Sequence, residues 1–177
     1  MQRYVLASFP LILAAACSGV APVVEVPVPE LLRPAPEEAA LQTLAARGVQ
    51  IYECRVKKDN AQAAEWAFVA PEADLNDAQG RLLGKHHAGP HWESADGSKL
   101  LGTVKARADS PTAGAIPWLL LTTRSVGPAG AFAKVTSIQR IHTAGGVAPP
   151  ADECTTRLQG KQARVAYTAD YVLFGSR

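Results

Sequence analysis

With 177 residues, 47% of them hydrophobic and 19% charged, the chain has the length and apolar content for one cored domain. The formal net charge is only +2, and no stripe of lysine and arginine interleaved with aromatics occurs, which argues against nucleic acid as a partner. No G-x-S-x-G elbow surrounds Ser98 or Ser125, which speaks against a serine hydrolase.

The first element is an export signal over residues 1–16. Arg3 supplies the positive start, Tyr4 to Leu13 the apolar centre, and Ala14, Ala15 and Ala16 the small residues a signal peptidase requires. The apolar run is shorter than the roughly 20 residues that span a bilayer, so a removable signal is expected rather than a membrane helix. Cys17 follows directly, as in bacterial lipoprotein signals, although Leu13 lies one place further from the cysteine than in the usual pattern. Two processing routes remain open. Lipidation of Cys17 gives a stable membrane anchor; ordinary cleavage leaves an exposed thiol, a reactive liability outside the cytoplasm. Lipidation is the expectation, and Ser18 after the cysteine points to the outer membrane.

With Cys17 used by the anchor, Cys54 and Cys154 are left in an oxidising compartment, where a disulfide between them is the simplest outcome. Their wide separation and the lack of C-x-x-C spacing speak against a redox-catalytic role.

Residues 17–36 contain Pro22, Pro27, Pro29, Pro34 and Pro36, the composition of an extended linker between anchor and domain. The domain itself is expected over 37–177. It opens with EEAALQTLAAR, residues 37–47, where acidic residues at the start, Ala40, Leu41 and Leu44 at helical spacing, and Arg47 before Gly48 predict one short helix.

From Val49 onward, short runs separated by Gly, Pro, Asn and Asp predict an all-β domain. Val49 to Val56 alternates, with Tyr52, Cys54 and Val56 on one face. Glu65 to Ala70 is a second run, ended by Pro71, and Arg81 to His87 a third. Asp96-Gly97 between His91–Ala95 and Ser98–Ala106 marks a hairpin, because that dipeptide accepts positive φ. Ile116 to Arg124 is apolar on both faces, with Pro117 at its entrance. Phe132 to Thr143 and Arg164 to Phe174 complete the set. Seven or eight mostly antiparallel strands with one short helix imply a β-sandwich or a partly closed barrel.

Six blocks carry a family resemblance: GVQIYECR at 48–55, the Trp66 run to APEADL at 70–75, GKHHAGPHWESADGS at 84–98, IPWLLL at 116–121, IQRIHTAGG at 138–146 and AYTADYVLF at 166–174. Their ordered succession resembles domain-of-unknown-function family 3455. The resemblance implies a secreted or envelope protein of bacterial or fungal type without an established activity. A malate dehydrogenase label used for some fungal relatives finds no support, since G-x-G-x-x-G after a strand and the alternation of strands and helices are both missing. The resembled block usually has Tyr where this chain has His87, and Thr or Ser in place of His91, so a metal site needing both is particular to this chain.

His86, His87, His91, Glu93 and Asp96 crowd one stretch with Trp92 and form the candidate ligand-binding set. If His91 to Ala95 is a strand, His91 and Glu93 share a face and Trp92 takes the other. His86, His91 and Glu93 are then weak metal-ligand candidates for metal-assisted hydrolysis, although the spacing matches no tight zinc signature and Gly89-Pro90 bends the segment. A solvated hairpin with Trp92 packed inward is the plain alternative. Trp66, Trp92 and Trp118 either line a sugar-binding surface or fill the core. Asp170 and Arg140 are a candidate structural ion pair. Three function classes follow. The first is a lipid-anchored, disulfide-stapled module that binds a small molecule, glycan or envelope partner without a cofactor. The second is the metal-assisted hydrolase, and the third a purely structural envelope protein.

Overall fold

The computed structural model describes residues 27–177. The signal over 1–16, the lipidation site Cys17 and the first part of the linker lie outside the described residues. Eight strands follow in chain order: β1 (Glu38–Lys57), β2 (Asn60–Asn76), β3 (Leu82–His87), β4 (His91–Ser94), β5 (Lys99–Ala108), β6 (Trp118–Ser125), β7 (Ser137–Gly145) and β8 (Gln162–Ser176). Each pairs antiparallel with the next, and β8 returns to pair with β1, closing an up-and-down barrel. The all-β expectation holds, as a closed barrel.

The expected helix over 37–47 is replaced by the first half of β1. Its helical spacing is real, but an isolated helix of that length is marginal in water. The same residues also alternate. Leu44 and Ala46 turn inward while Leu41 and Arg47 stay outside. As a strand this segment is hydrogen-bonded on both sides, with Ala45 opposite Asn76 of β2 and opposite Asp170 of β8. Pairing on two edges outweighs helix preferences of a few tenths of a kcal/mol per residue.

Pro71 also departs from expectation, because β2 runs through it to Asn76. A bulge makes this possible. Ile51 pairs with Ala70 and Tyr52 with Phe68, leaving Val69 as an extra residue beside Pro71. Gly48 permits the close approach of β1 and β2 nearby, since a Cβ there would stand 2.0 Å from the Glu72 carbonyl oxygen.

Inside, one apolar cluster includes Leu44, Leu75, Leu100, Ile138 and Leu173. A second lies on the outer wall and explains why β6 is apolar on both faces. Leu119 and Leu121 point inward. Trp118 and Leu120 point outward and are covered, with Ile141, by the chain preceding β1. There Leu32 is 0% exposed and its carbonyl accepts a 2.7 Å hydrogen bond from Gln139 Nε2. Burying that leucine contributes about 1.5–3 kcal/mol. The described part of the proline-rich stretch is thus partly laid against the barrel.

Cys54 and Cys154 form the disulfide expected from the sequence. It joins the end of β1 to the loop before β8.

Candidate ligand-binding site

Strand parity decides which side chains of the histidine block enter the barrel. His86 of β3 pairs with Trp92 of β4 and with Ala73 of β2, and all three face inward. Lys85 pairs with Glu93 and Glu93 with Lys99, so these face out. The candidate set is therefore divided. His86 and Trp92 are buried inside. Outside, Glu93 Oε2 accepts from Lys99 Nζ at 2.8 Å and lies 3.0 Å from His87 Nε2. His91 stands at the turn, where its Nδ1–H donates to the Ala88 carbonyl at 2.7 Å. The proposed metal set of His86, His91 and Glu93 is not brought together, and among the described residues no group of three or more His, Cys, Asp or Glu side chains converges.

Asp96 has a different task. Its carboxylate accepts from the Ser98 hydroxyl at 2.7 Å, the Ala131 amide at 2.7 Å and the Ser98 amide at 2.9 Å. These bonds, the serine hydroxyl foremost, hold its carboxyl well below the usual carboxylate range. Ser98 Oγ in turn accepts from the Phe132 amide. Asp96 and Ser98 thus fasten the β4–β5 hairpin to the loop before β7.

Within the barrel, His86 stacks on Trp92 at 4.2 Å, and both meet the edge or face of Tyr171, at 5.2 and 5.5 Å respectively. His86 Nδ1–H donates to the His91 carbonyl at 2.8 Å. Burial pushes the His86 imidazole down to about 3, against the pull of that hydrogen bond and with help from the Arg140 charge. His86 is therefore neutral in the folded protein at physiological pH. An unfolded chain takes up this proton near 6.5 and the folded chain near 3. Between those values the unfolded state binds more protons, so stability falls as the pH drops, by up to about 1.4 kcal/mol per pH unit. Urea unfolding at pH 7 and pH 5 is expected to show this slope in the natural protein and a shallower one in His86→Phe. Equal slopes in the two proteins would refute the assignment.

The side chains around this stack enclose a cavity of about 240 Å³. Its lining includes Gln50, Pro71, Trp92, Leu119, Leu121 and Arg140. An adjoining cleft of about 440 Å³ shares Gln50, Phe68, Val104, Leu119 and Arg140 with it. At the opening, Phe68 and Val104 are each 53% exposed, an unusual condition for large apolar groups on neighbouring positions. Among the lining residues, the buried Trp92 Nε1 has no hydrogen-bond partner, while the Gln50 amide lies beside the Tyr167 hydroxyl. Arg140 donates from Nε and Nη2 to the Pro117 carbonyl at 3.1 and 2.8 Å. Burial raises the phenols of Tyr167 and Tyr171, so neither supplies a negative charge.

Two sequence expectations are settled by these positions. Arg140 does not pair with Asp170, because they face opposite sides of the sheet; Asp170 Oδ2 instead lies 2.8 Å from His142 Nδ1 on the outside. The three tryptophans share no surface. Trp92 is inside, Trp118 lies beneath Leu32 on the outer wall, and Trp66 donates to the Pro150 carbonyl. Gln50 and Tyr171 are cavity residues that motif reasoning passed over. Their signal was parity alone, Gln50 in step with Tyr52 and Tyr171 in step with Ala169 and Leu173.

No helix among the described residues is long and apolar enough to cross a membrane. Neither a curated protein nor a solved structure matches the chain. A family model described as "Protein of unknown function (DUF3455)" matches residues 34–175, which take in every strand but the last residue of β8, and the chain belongs to that family.

Proposed function

We propose that this protein is a binding module whose ligand is a small molecule held inside the barrel, not a catalyst working through the histidine block. The observation that carries this reading is a cavity of about 240 Å³ with mostly apolar walls, Pro71, Trp92, Leu119 and Leu121 among them, and a few polar side chains, Gln50, His86 and Arg140, set into the lining. Small-molecule sites have this composition, mostly apolar walls with a few placed polar groups.

Location fits the same role. A disulfide at Cys54–Cys154 belongs to an oxidising, exported environment. With an anchor at Cys17, the barrel serves as an outer-membrane lipoprotein that captures its ligand within the envelope.

Trp92 lies in the cavity wall, so occupancy is expected to change tryptophan emission and to raise the melting temperature. At a hundredfold excess over Kd the stabilisation is about 2.7 kcal/mol. Screening a panel of envelope small molecules, glycans and amphiphiles by both readouts tests the reading. A flat response across the whole panel sinks it.

A further inference from the structure

The cavity and its adjoining cleft are lined by two arginines, Arg140 and Arg107, and by no aspartate or glutamate. Arg140 stands in the wall of both spaces. Among the described residues it joins no ion pair, and its hydrogen bonds go to the Pro117 carbonyl and toward the Tyr171 hydroxyl. The titratable groups nearest it, His86, Tyr52, Tyr167 and Tyr171, are neutral at physiological pH. Arg140 is partly buried, and neither space lined by it includes a carboxylate to balance its charge. Gln50 and Trp92, two residues that carry N–H donors, line the same cavity as this cation. At the opening the character reverses. Phe68, Val69, Val104 and Val147 present exposed apolar surface.

Resting on the small-molecule reading above, we infer that the ligand is an amphipathic anion, its carboxylate-like head on Arg140 between Gln50 and Trp92, its apolar body along Phe68 and Val104. With the Nε and Nη2 edge of Arg140 engaged by Pro117, the Nη1 and Nη2 end still offers paired N–H donors that match a carboxylate or a phosphate monoester, so the head is a compact oxyanion. The exposed rim gives the body a place to lie, and its burial supplies about 25 cal/mol per Å².

The test compares decanoate with decanol, used below micelle-forming concentrations, on the natural full chain by tryptophan emission. These probes share one apolar body and differ in head charge. Decanoate is expected to bind at least tenfold more tightly than decanol, with the advantage reduced by salt. In Arg140→Met, the advantage of decanoate over decanol should disappear. Should that variant fold poorly by circular dichroism, the natural protein still decides through the decanoate–decanol ratio. Equal binding of the two probes overturns the anion assignment and leaves the cavity reading standing. No binding of either, with a flat response to the wider panel, overturns both.

Discussion

A chain carrying Cys54→Ser and Cys154→Ser is expected to lose about 2–5 kcal/mol of stability, with a melting temperature lower by on the order of 10 °C. The bridge spans a sequence separation of 100, and in the chain-entropy picture a loop of that size accounts for up to about 4.7 kcal/mol. Packing adds to the effect, because both sulfurs belong to buried residues. The surroundings are built on the bridge as well. The Cys54 amide donates to the Lys161 carbonyl, and the Gly160 amide to the Cys54 carbonyl, so releasing Cys154 loosens the start of the β1–β8 ladder. Urea unfolding of the oxidised protein, the reduced protein and the double variant measures the loss. Coincident midpoints for all three would show that the bridge contributes nothing.

Trp92→Ala is the point substitution expected to cost most, about 3–5 kcal/mol. Trp92 is 1% exposed and holds the stack with His86 and Tyr171 in place. Gly102 is shaped to it, since a Cβ there would stand 2.6 Å from the Trp92 ring. Truncation leaves a hole beside an existing cavity, and the His86 imidazole loses the face against which it is buried. Trp92→Phe separates two contributions. It keeps a ring in the wall and deletes the unpartnered Nε1 donor, so its cost is expected to stay below about 1.5 kcal/mol. Chemical denaturation of both variants checks the pair. A loss below 1 kcal/mol for the alanine would mean that the stack is dispensable.

The outcomes along the chain divide by the range over which each signal acts. The Asp96-Gly97 hairpin was legible because its cause is local, although the connection takes the four residues 95–98 rather than two, and of the pair only Gly97, at φ 85°, adopts positive φ. The disulfide was legible from compartment chemistry and a count of three cysteines. Residues 37–47 misled because local helix spacing was weighed without the two strands that flank them. Pro71 misled in the same way, since the bulge that accommodates it depends on the register with β1. Half of the site was visible. His86 and Trp92 fell inside the highlighted block, and the block alone did not tell that His87 and Glu93 face outward. Gln50 and Arg140 come from β1 and β7 and meet only when the barrel closes. Side chains from distant strands that converge through closure leave no compact motif.

Closure by the last strand also sets an order on assembly. Until residues 162–176 have been made, β1 and β7 each present an unpaired edge, the condition that invites pairing with other chains. Joining ends so far apart in sequence is slow, because the loop must be closed before any contact rewards it. Cys154 is synthesised before β8, and its partner lies at the far end of β1. Once the two are linked, Gln162 emerges next to Glu53, the first rung of the final ladder. From such a fixed point the remaining rungs would form by zipping, with the bridge making the most distant pairing in the barrel a short-range one.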